Sequence, residues 1–154
     1  MSRPKTTAKP RAKKSKTSPS EILPGVFVGG WKDAEKFSGQ RVCVLDELPD
    51  SEAPTEEHYP IYDDKKDQPI PENLDRVVRF VDTARERGQP VLMFCGHGIR
   101  RASLAGAWYL HRHDGVSLDE AYERVKAVRP QIEHVRDWVG NWKLLESTPP
   151  ARSR

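Results

Sequence analysis

Val91-Leu92-Met93-Phe94-Cys95-Gly96-His97-Gly98-Ile99-Arg100-Arg101 is the stretch from which the rest of the chain is read. Four consecutive apolar residues without polar alternation predict a strand buried on both faces. The glycine-containing loop that follows leads into Leu104, Ala107, Trp108 and His111, which mark a helix ending near Gly115. A cysteine and an arginine thus bracket a strand-to-helix loop with the spacing C-x5-R. Backbone N–H groups of such a loop point inward, and the helix N-terminus adds positive potential. Gly96 and Gly98 let the backbone close on an anion where a side chain would block it. Arg101 offers a planar fork to two oxygens of one oxyanion. The same field stabilises a thiolate, which makes Cys95 a candidate nucleophile toward a bound phosphoryl group. The spacing alone arises often by chance, and its plain alternative is a buried strand-end cysteine followed by a surface arginine. The strand–loop–helix setting and the two glycines give it weight.

Working upstream, Ile22 to Gly30 reads as a short strand between turn residues, and Arg41 to Leu45 as a second, buried strand. Asp46 to Glu57 is an acidic loop containing Pro49 and Pro54. His58 to Tyr62 predicts a third strand, near a sheet edge because of Pro60. From Pro71 to Arg87 the residues Leu74, Val77, Val78, Val81 and Ala84 recur at helical spacing, with Pro71 suited to the first turn and Gly88 to the stop. Downstream, Ser117-Leu118-Asp119-Glu120 is a capping box. It opens a helix whose buried face is Leu118, Ala121, Tyr122, Val125 and Val128, and Pro130 ends it. Val135, Trp138, Val139, Trp142 and Leu145 predict a last helix, its tryptophans read as core rather than as a ligand platform. The order predicts an α/β domain over residues 21–147, with a largely parallel central sheet flanked by helices. A basic tail (1–20) precedes it and a frayed tail (148–154) follows.

The 154 residues suffice for one core, and no apolar run is long enough to span a membrane or serve as a secretory signal. Two cysteines, far apart, make neither a disulfide framework nor a zinc site, and they predict a reducing, cytoplasmic compartment. Cys43 is expected to pack as a small hydrophobe; a redox pairing with Cys95 needs the narrow geometry of a disulfide. The net charge of +3 conceals an asymmetry: residues 1–20 hold seven basic residues and no acid, so the remainder is net acidic. That composition predicts a disordered tail, which is either solubilising, an arm for nucleic acid or an anionic surface, or an import signal at Lys13 and Lys14. His58, His97, His111, His113 and His134 form no recognisable metal motif with carboxylates. Metal-independent chemistry without a cofactor is expected, in a monomer.

From about Ile22 to Leu145 the chain resembles a small dual-specificity phosphatase of the protein tyrosine phosphatase superfamily. Leu23 to Gly30 is similar to the strand that opens many such domains, Pro60-Ile61-Tyr62-Asp63 to the segment carrying the general acid, and Val91 to Arg101 to the signature strand and loop. The resemblance implies hydrolysis of phosphotyrosine, phosphoserine or phosphothreonine in proteins through a cysteinyl-phosphate. It implies Cys95 as nucleophile, and Gly96, His97, Gly98, Ile99, Arg100 and Arg101 as the phosphate cradle. Asp63 follows its strand as the family's acid does, with Asp64 and Asp67 as further candidates. Two positions depart from the family pattern. Phe94 stands where histidine is usual, which implies a less strongly tuned thiolate. Ala102 stands where Ser or Thr is usual, which implies slowed breakdown of the phosphoenzyme. These departures keep a weakly active or non-catalytic phosphate-binding module open as an alternative. The run Cys-x-His-Gly-x-x-Arg also resembles loops of RNA 5′-phosphatases, so an RNA 5′ end or a phosphoinositide is an alternative substrate. Low-molecular-weight tyrosine phosphatases and arsenate reductases place the loop after the first strand with the acid downstream, the reverse of the order here.

Overall fold

The computed structural model describes residues 18–47, 55–133, 138–139 and 142–149. Most of the basic tail, Pro49 and Pro54 of the acidic loop, His134, Val135 and residues 150–154 lie outside the described residues. In chain order the elements are β1 (Ser20–Leu23), β2 (Val26–Gly30), α1 (Trp31–Lys36), β3 (Gln40–Cys43), β4 (Glu57–His58), β5 (Tyr62–Asp63), β6 (Gln68–Pro69), α2 (Pro71–Glu86), β7 (Val91–Cys95), α3 (Arg101–Asp114), α4 (Leu118–Val128) and α5 (Trp142–Glu146).

The main sheet runs β1-β2-β7-β3-β4. Only β1 is antiparallel to its neighbour; β2, β7, β3 and β4 are parallel. β7 lies at the centre and every one of its residues is buried. Successive strand side chains point to opposite faces. Val91, Met93 and Cys95 accordingly join the large core with α2, α3, α4 and α5, whereas Leu92 and Phe94 join a smaller cluster with Ala34 of α1 and Cys43 of β3. The α/β architecture expected from the chain order is therefore present. Among the described residues the layers are unequal, with one short helix on one face and four on the other.

Three local features differ from expectation. Ile22 to Gly30 is a hairpin rather than one strand: Gly25 turns the chain at φ 81°, and the Glu21 carboxylate accepts from its N–H at 2.8 Å. The expected strand from His58 to Tyr62 is broken, because Pro60 has no N–H for a ladder. Glu57–His58 forms the edge of the main sheet, and Tyr62–Asp63 opens a separate antiparallel ribbon with Gln68–Pro69. α1 was not anticipated, since six residues carry too little periodicity to read. It is capped by Asp33, whose carboxylate accepts from Gly30 N–H at 2.8 Å.

Elsewhere local chemistry and fold agree. α2 begins at Pro71, and Gly88 takes φ 70° just beyond its end. Ser117 Oγ accepts from Glu120 N–H at 3.0 Å to start α4. Its expected face is buried except for Val128, which is 44% exposed. In the large core, fully buried Trp108 donates from Nε1 to Asp75 at 2.7 Å, and Arg112 donates to the same carboxylate at 3.1 Å. That joint ties α3 to α2. Burying a large apolar side chain contributes roughly 1.5–3 kcal/mol, provided that its polar atom is satisfied, as Asp75 ensures here. No described helix is long and apolar enough to cross a membrane.

Candidate active site

The end of β2 lies beside the end of β7, with Gly30 opposite Cys95 in the register. Trp31 N–H donates to Gly96 O at 3.1 Å and ties the loop to α1. This contact needs bare backbone: a Cβ on Gly30 would lie 2.8 Å from Gly96 O. Gly98 takes φ 70°, and a Cβ there would lie 2.6 Å from the backbone of Gly29. Cys95, only 4% exposed, sits at the floor of the resulting loop. Its Sγ accepts from Gly98 N–H at 3.2 Å and from Ala102 N–H at 3.3 Å.

The back of the loop is held by a residue that the sequence did not single out. Arg129, the C-cap of α4, is fully buried. Its Nε donates to Gly98 O at 2.8 Å and its Nη2 to His97 O at 3.3 Å, while Nη1 donates to Ser18 O at 2.8 Å and to Ser20 Oγ at 3.0 Å. Ser103 Oγ also donates to Gly98 O, at 3.3 Å. In a trans peptide the N–H points opposite to the C=O. Carbonyls of His97 and Gly98 drawn backward therefore turn the N–H groups of Gly98 and Ile99 into the loop. Burial pushes the Arg129 guanidinium below its ordinary value, against the pull of Asp33 and Cys95. Burial pushes the Asp33 carboxyl up, opposed by the Gly30 N–H and then by Arg129. The only sequence signal for Arg129 was an arginine before Pro130 at a helix end, which reads equally as a surface partner of the helix dipole.

At the front, Arg101 lines the same cavity as Cys95, a space of about 280 Å³ also bounded by Leu45, Ile99 and Glu133. Its Nη2 donates to Asp64 Oδ1 at 2.5 Å, and its Nε lies 3.7 Å from Asp46 Oδ1. The guanidinium stands over the rings of Tyr62 at 5.2 Å and Trp138 at 5.9 Å. The three candidate acids are thereby separated. Asp63 Oδ1 accepts from the N–H groups of Lys65 and Lys66, at 3.0 and 3.2 Å, and so holds its own turn. Asp67 Oδ1 accepts from the Tyr62 hydroxyl at 2.6 Å. Asp64 is the one of the three that meets Arg101. Asp46, which composition placed in an acidic loop, is pushed up to about 6 by burial, by its hydrogen bond and like charge with Asp64, and by Asp63, with Arg101 opposing.

Of the remaining loop residues, His97 and Arg100 are exposed, and Arg100 pairs with Glu133 at 2.7 Å. Phe94 is fully buried against Ala34, Cys43 and Leu92, on the face away from the Cys95 side chain. Cys43 lies opposite Phe94 in the register and shares its face, so the two thiols sit on opposite sides of the sheet and both are free. Burial is the main cause that pushes the Cys43 thiol up. Ala102 is buried at the start of α3, and the Ser103 hydroxyl turns to Gly98 rather than to sulfur. Trp142 packs in the core, as read. Trp138 packs partly buried against the same core, but in a turn rather than on the predicted helix, and stands beside Tyr62 and Arg101.

Comparison with known proteins agrees with this geometry. The family described as "Dual specificity phosphatase, catalytic domain" matches residues 43–144. Dual specificity phosphatase 28 of Homo sapiens is 28% identical over 150 residues, covering 88% of this chain and 85% of that protein. Dual specificity protein phosphatase 2 of Mus musculus is 26% identical over 137 residues, covering 84% of this chain. The chain spans less than half the length of that relative, 43%. The crystal structure of human DUSP28 superposes with a TM-score of 0.66 at 25% identity, covering 82% of this chain and 89% of the other.

Proposed function

The chain belongs to the dual specificity phosphatase family by its catalytic domain, and from that membership we propose that it hydrolyses phosphotyrosine and phosphoserine or phosphothreonine in proteins through a cysteinyl-phosphate. The observation that carries the reading is the Cys95 sulfur held by the N–H groups of Gly98 and Ala102 in a loop that Arg101 closes. Phosphoryl oxygens take the inward N–H groups and the Arg101 fork, which exchanges Asp64 for substrate. The thiolate attacks phosphorus, the bond to the leaving oxygen breaks, and Asp64 protonates that oxygen. Water then attacks the cysteinyl-phosphate and gives its proton to Asp64, which restores the thiolate and releases inorganic phosphate.

Asp64 takes the general-acid role here because it meets Arg101, whereas the Asp63 carboxylate is committed to its own turn. Adjacent strand and turn positions point in different directions, so a one-residue offset decides which carboxyl reaches the site. A polyanionic substrate, such as an RNA 5′ end or a phosphoinositide, draws less support, since Arg100 is already paired with Glu133. Two free thiols support a reducing, cytoplasmic setting.

The test is turnover of tyrosine- and serine-phosphorylated peptides and of p-nitrophenyl phosphate. Cys95→Ser, folded by circular dichroism, is expected to abolish all three. Undiminished turnover by Cys95→Ser overturns the reading, and vanadate binding without any turnover by the wild type leaves a binding module in its place.

A further inference from the structure

The mechanism above leaves one group at the cradle unused. Arg101 faces two carboxyl groups, Asp64 at Nη2 (2.5 Å) and Asp46 at Nε (3.7 Å). That Nε is buried and has no hydrogen-bond partner among the described residues, so Asp46 meets it by charge alone. Asp46, Asp64, Leu45, Glu47 and Arg101 enclose a cavity of about 320 Å³, which shares Leu45 and Arg101 with the catalytic one. Gathered on one guanidinium, Asp46 and Asp64 lie within hydrogen-bonding reach of each other. An ionised carboxylate has only acceptors, so a bond between two carboxyl groups requires one proton. The charged groups facing Asp46 are Asp63 and Asp64 from the β5–β6 turn, Arg101 from α3, and Glu47 from its own loop. Burial and the neighbouring Asp64 both push Asp46 upward, to about 6.

We propose that Asp46 is a positioning residue for the general acid: it shares one proton with Asp64 beside Arg101 and keeps that proton available to the leaving group. The inference rests on Asp64 as the acid. When a phosphoryl dianion draws Arg101 onto its oxygens, the two carboxyl groups lose a cation and gain a neighbouring anion. Both changes favour keeping the proton. The proton passes from Asp64 to the leaving oxygen as its bond to phosphorus breaks. The attacking water later returns one proton to the pair, so each cycle ends as it began.

Asp46→Asn keeps the side-chain shape and removes the second acid. With the second acid gone, the alkaline fall of kcat/KM, which reports the steps up to departure of the leaving group, is expected to move about one pH unit lower. Near neutral pH the ratio of kcat/KM on a phosphoserine peptide to kcat/KM on p-nitrophenyl phosphate should fall about tenfold, because nitrophenolate leaves without a proton. Orthovanadate inhibition should keep its strength, showing that Arg101 still binds an oxyanion. Superimposable pH profiles with an unchanged ratio overturn the inference. So does a loss that tracks weaker vanadate inhibition without a shift of the alkaline limb, which marks Asp46 as an anchor for Arg101 only. Asp64→Asn run alongside separates the two claims. If it leaves the substrate ratio unchanged, the acid assignment itself fails; if it lowers the ratio while Asp46→Asn does not, only the role of Asp46 fails.

Discussion

Arg101 and Arg129 reach the same loop from opposite sides, and their partners differ in kind. Arg129 is fully buried and bonds backbone carbonyls and the Ser20 hydroxyl, none of which a substrate can replace. Arg101 faces the cavity and bonds Asp64, an anion that an incoming phosphoryl group can displace. The rear arginine fixes where the N–H groups point; the front one exchanges partners. In the proposed reading one guanidinium serves the fold and the other the chemistry, and the sequence marks only Arg101, through its C-x5-R spacing.

The largest effect that tests this contrast is at the front. Arg101→Lys loses the planar fork and should lower kcat/KM by about 10³-fold, with little change in the urea midpoint. Equal losses of stability for the two arginine variants would erase the distinction. At the rear, Arg129→Lys cannot reach four acceptors with one ammonium group. It should destabilise the protein by about 3 kcal/mol, because buried carbonyls are left unpaired, as read by equilibrium urea unfolding. Gly98→Ala probes the peptide between the two arginines. Its φ of 70° and the 2.6 Å approach to Gly29 leave no room for a methyl group, and a cost of about 2 kcal/mol is expected.

Smaller effects sharpen the picture. Ala102→Ser supplies the missing hydroxyl beside sulfur and should raise steady-state turnover by less than about tenfold, with the rate of phosphoenzyme formation unchanged and the burst amplitude reduced. The remote Arg41–Glu56 pair gives the smallest effect. Arg41 holds the Glu56 carboxyl below its ordinary value of 4.5. The stabilisation is therefore present above that value and lost as pH falls through the lower, folded-state value. With 35% of the Glu56 side chain and 19% of the Arg41 side chain exposed, solvent screening keeps the contribution under about 1 kcal/mol. Glu56→Gln should flatten only this acid limb in a series of urea melts.

The front of the site was legible in sequence and the rear was not. β7, the two loop glycines and Arg101 declare themselves through a local pattern: an apolar run, then glycine, then a helix. Asp63, Asp64 and Asp67 were all within view, but which of them meets Arg101 depends on which way one turn faces, and residue spacing does not carry that. Arg129 and Ser20 lie far from the loop in sequence and meet it only through tertiary packing. The sequence reading ran one strand through Gly25 and flagged only Pro60, and even a flagged turn residue marks where a strand stops without saying which sheet its continuation joins. Trp138 keeps its contact with the core, but the helical period that placed it on a helix holds only from Trp142 to Glu146 among the described residues.

The most direct test of the account is rapid-quench mass spectrometry of the enzyme mixed with a phosphopeptide in excess. The account predicts one added phosphoryl group on Cys95, formed before steady state and persisting because Ala102 offers no hydroxyl to speed its hydrolysis. Steady turnover with Cys95 unmodified at every quench time, or a phosphoryl group found on another residue, would contradict it.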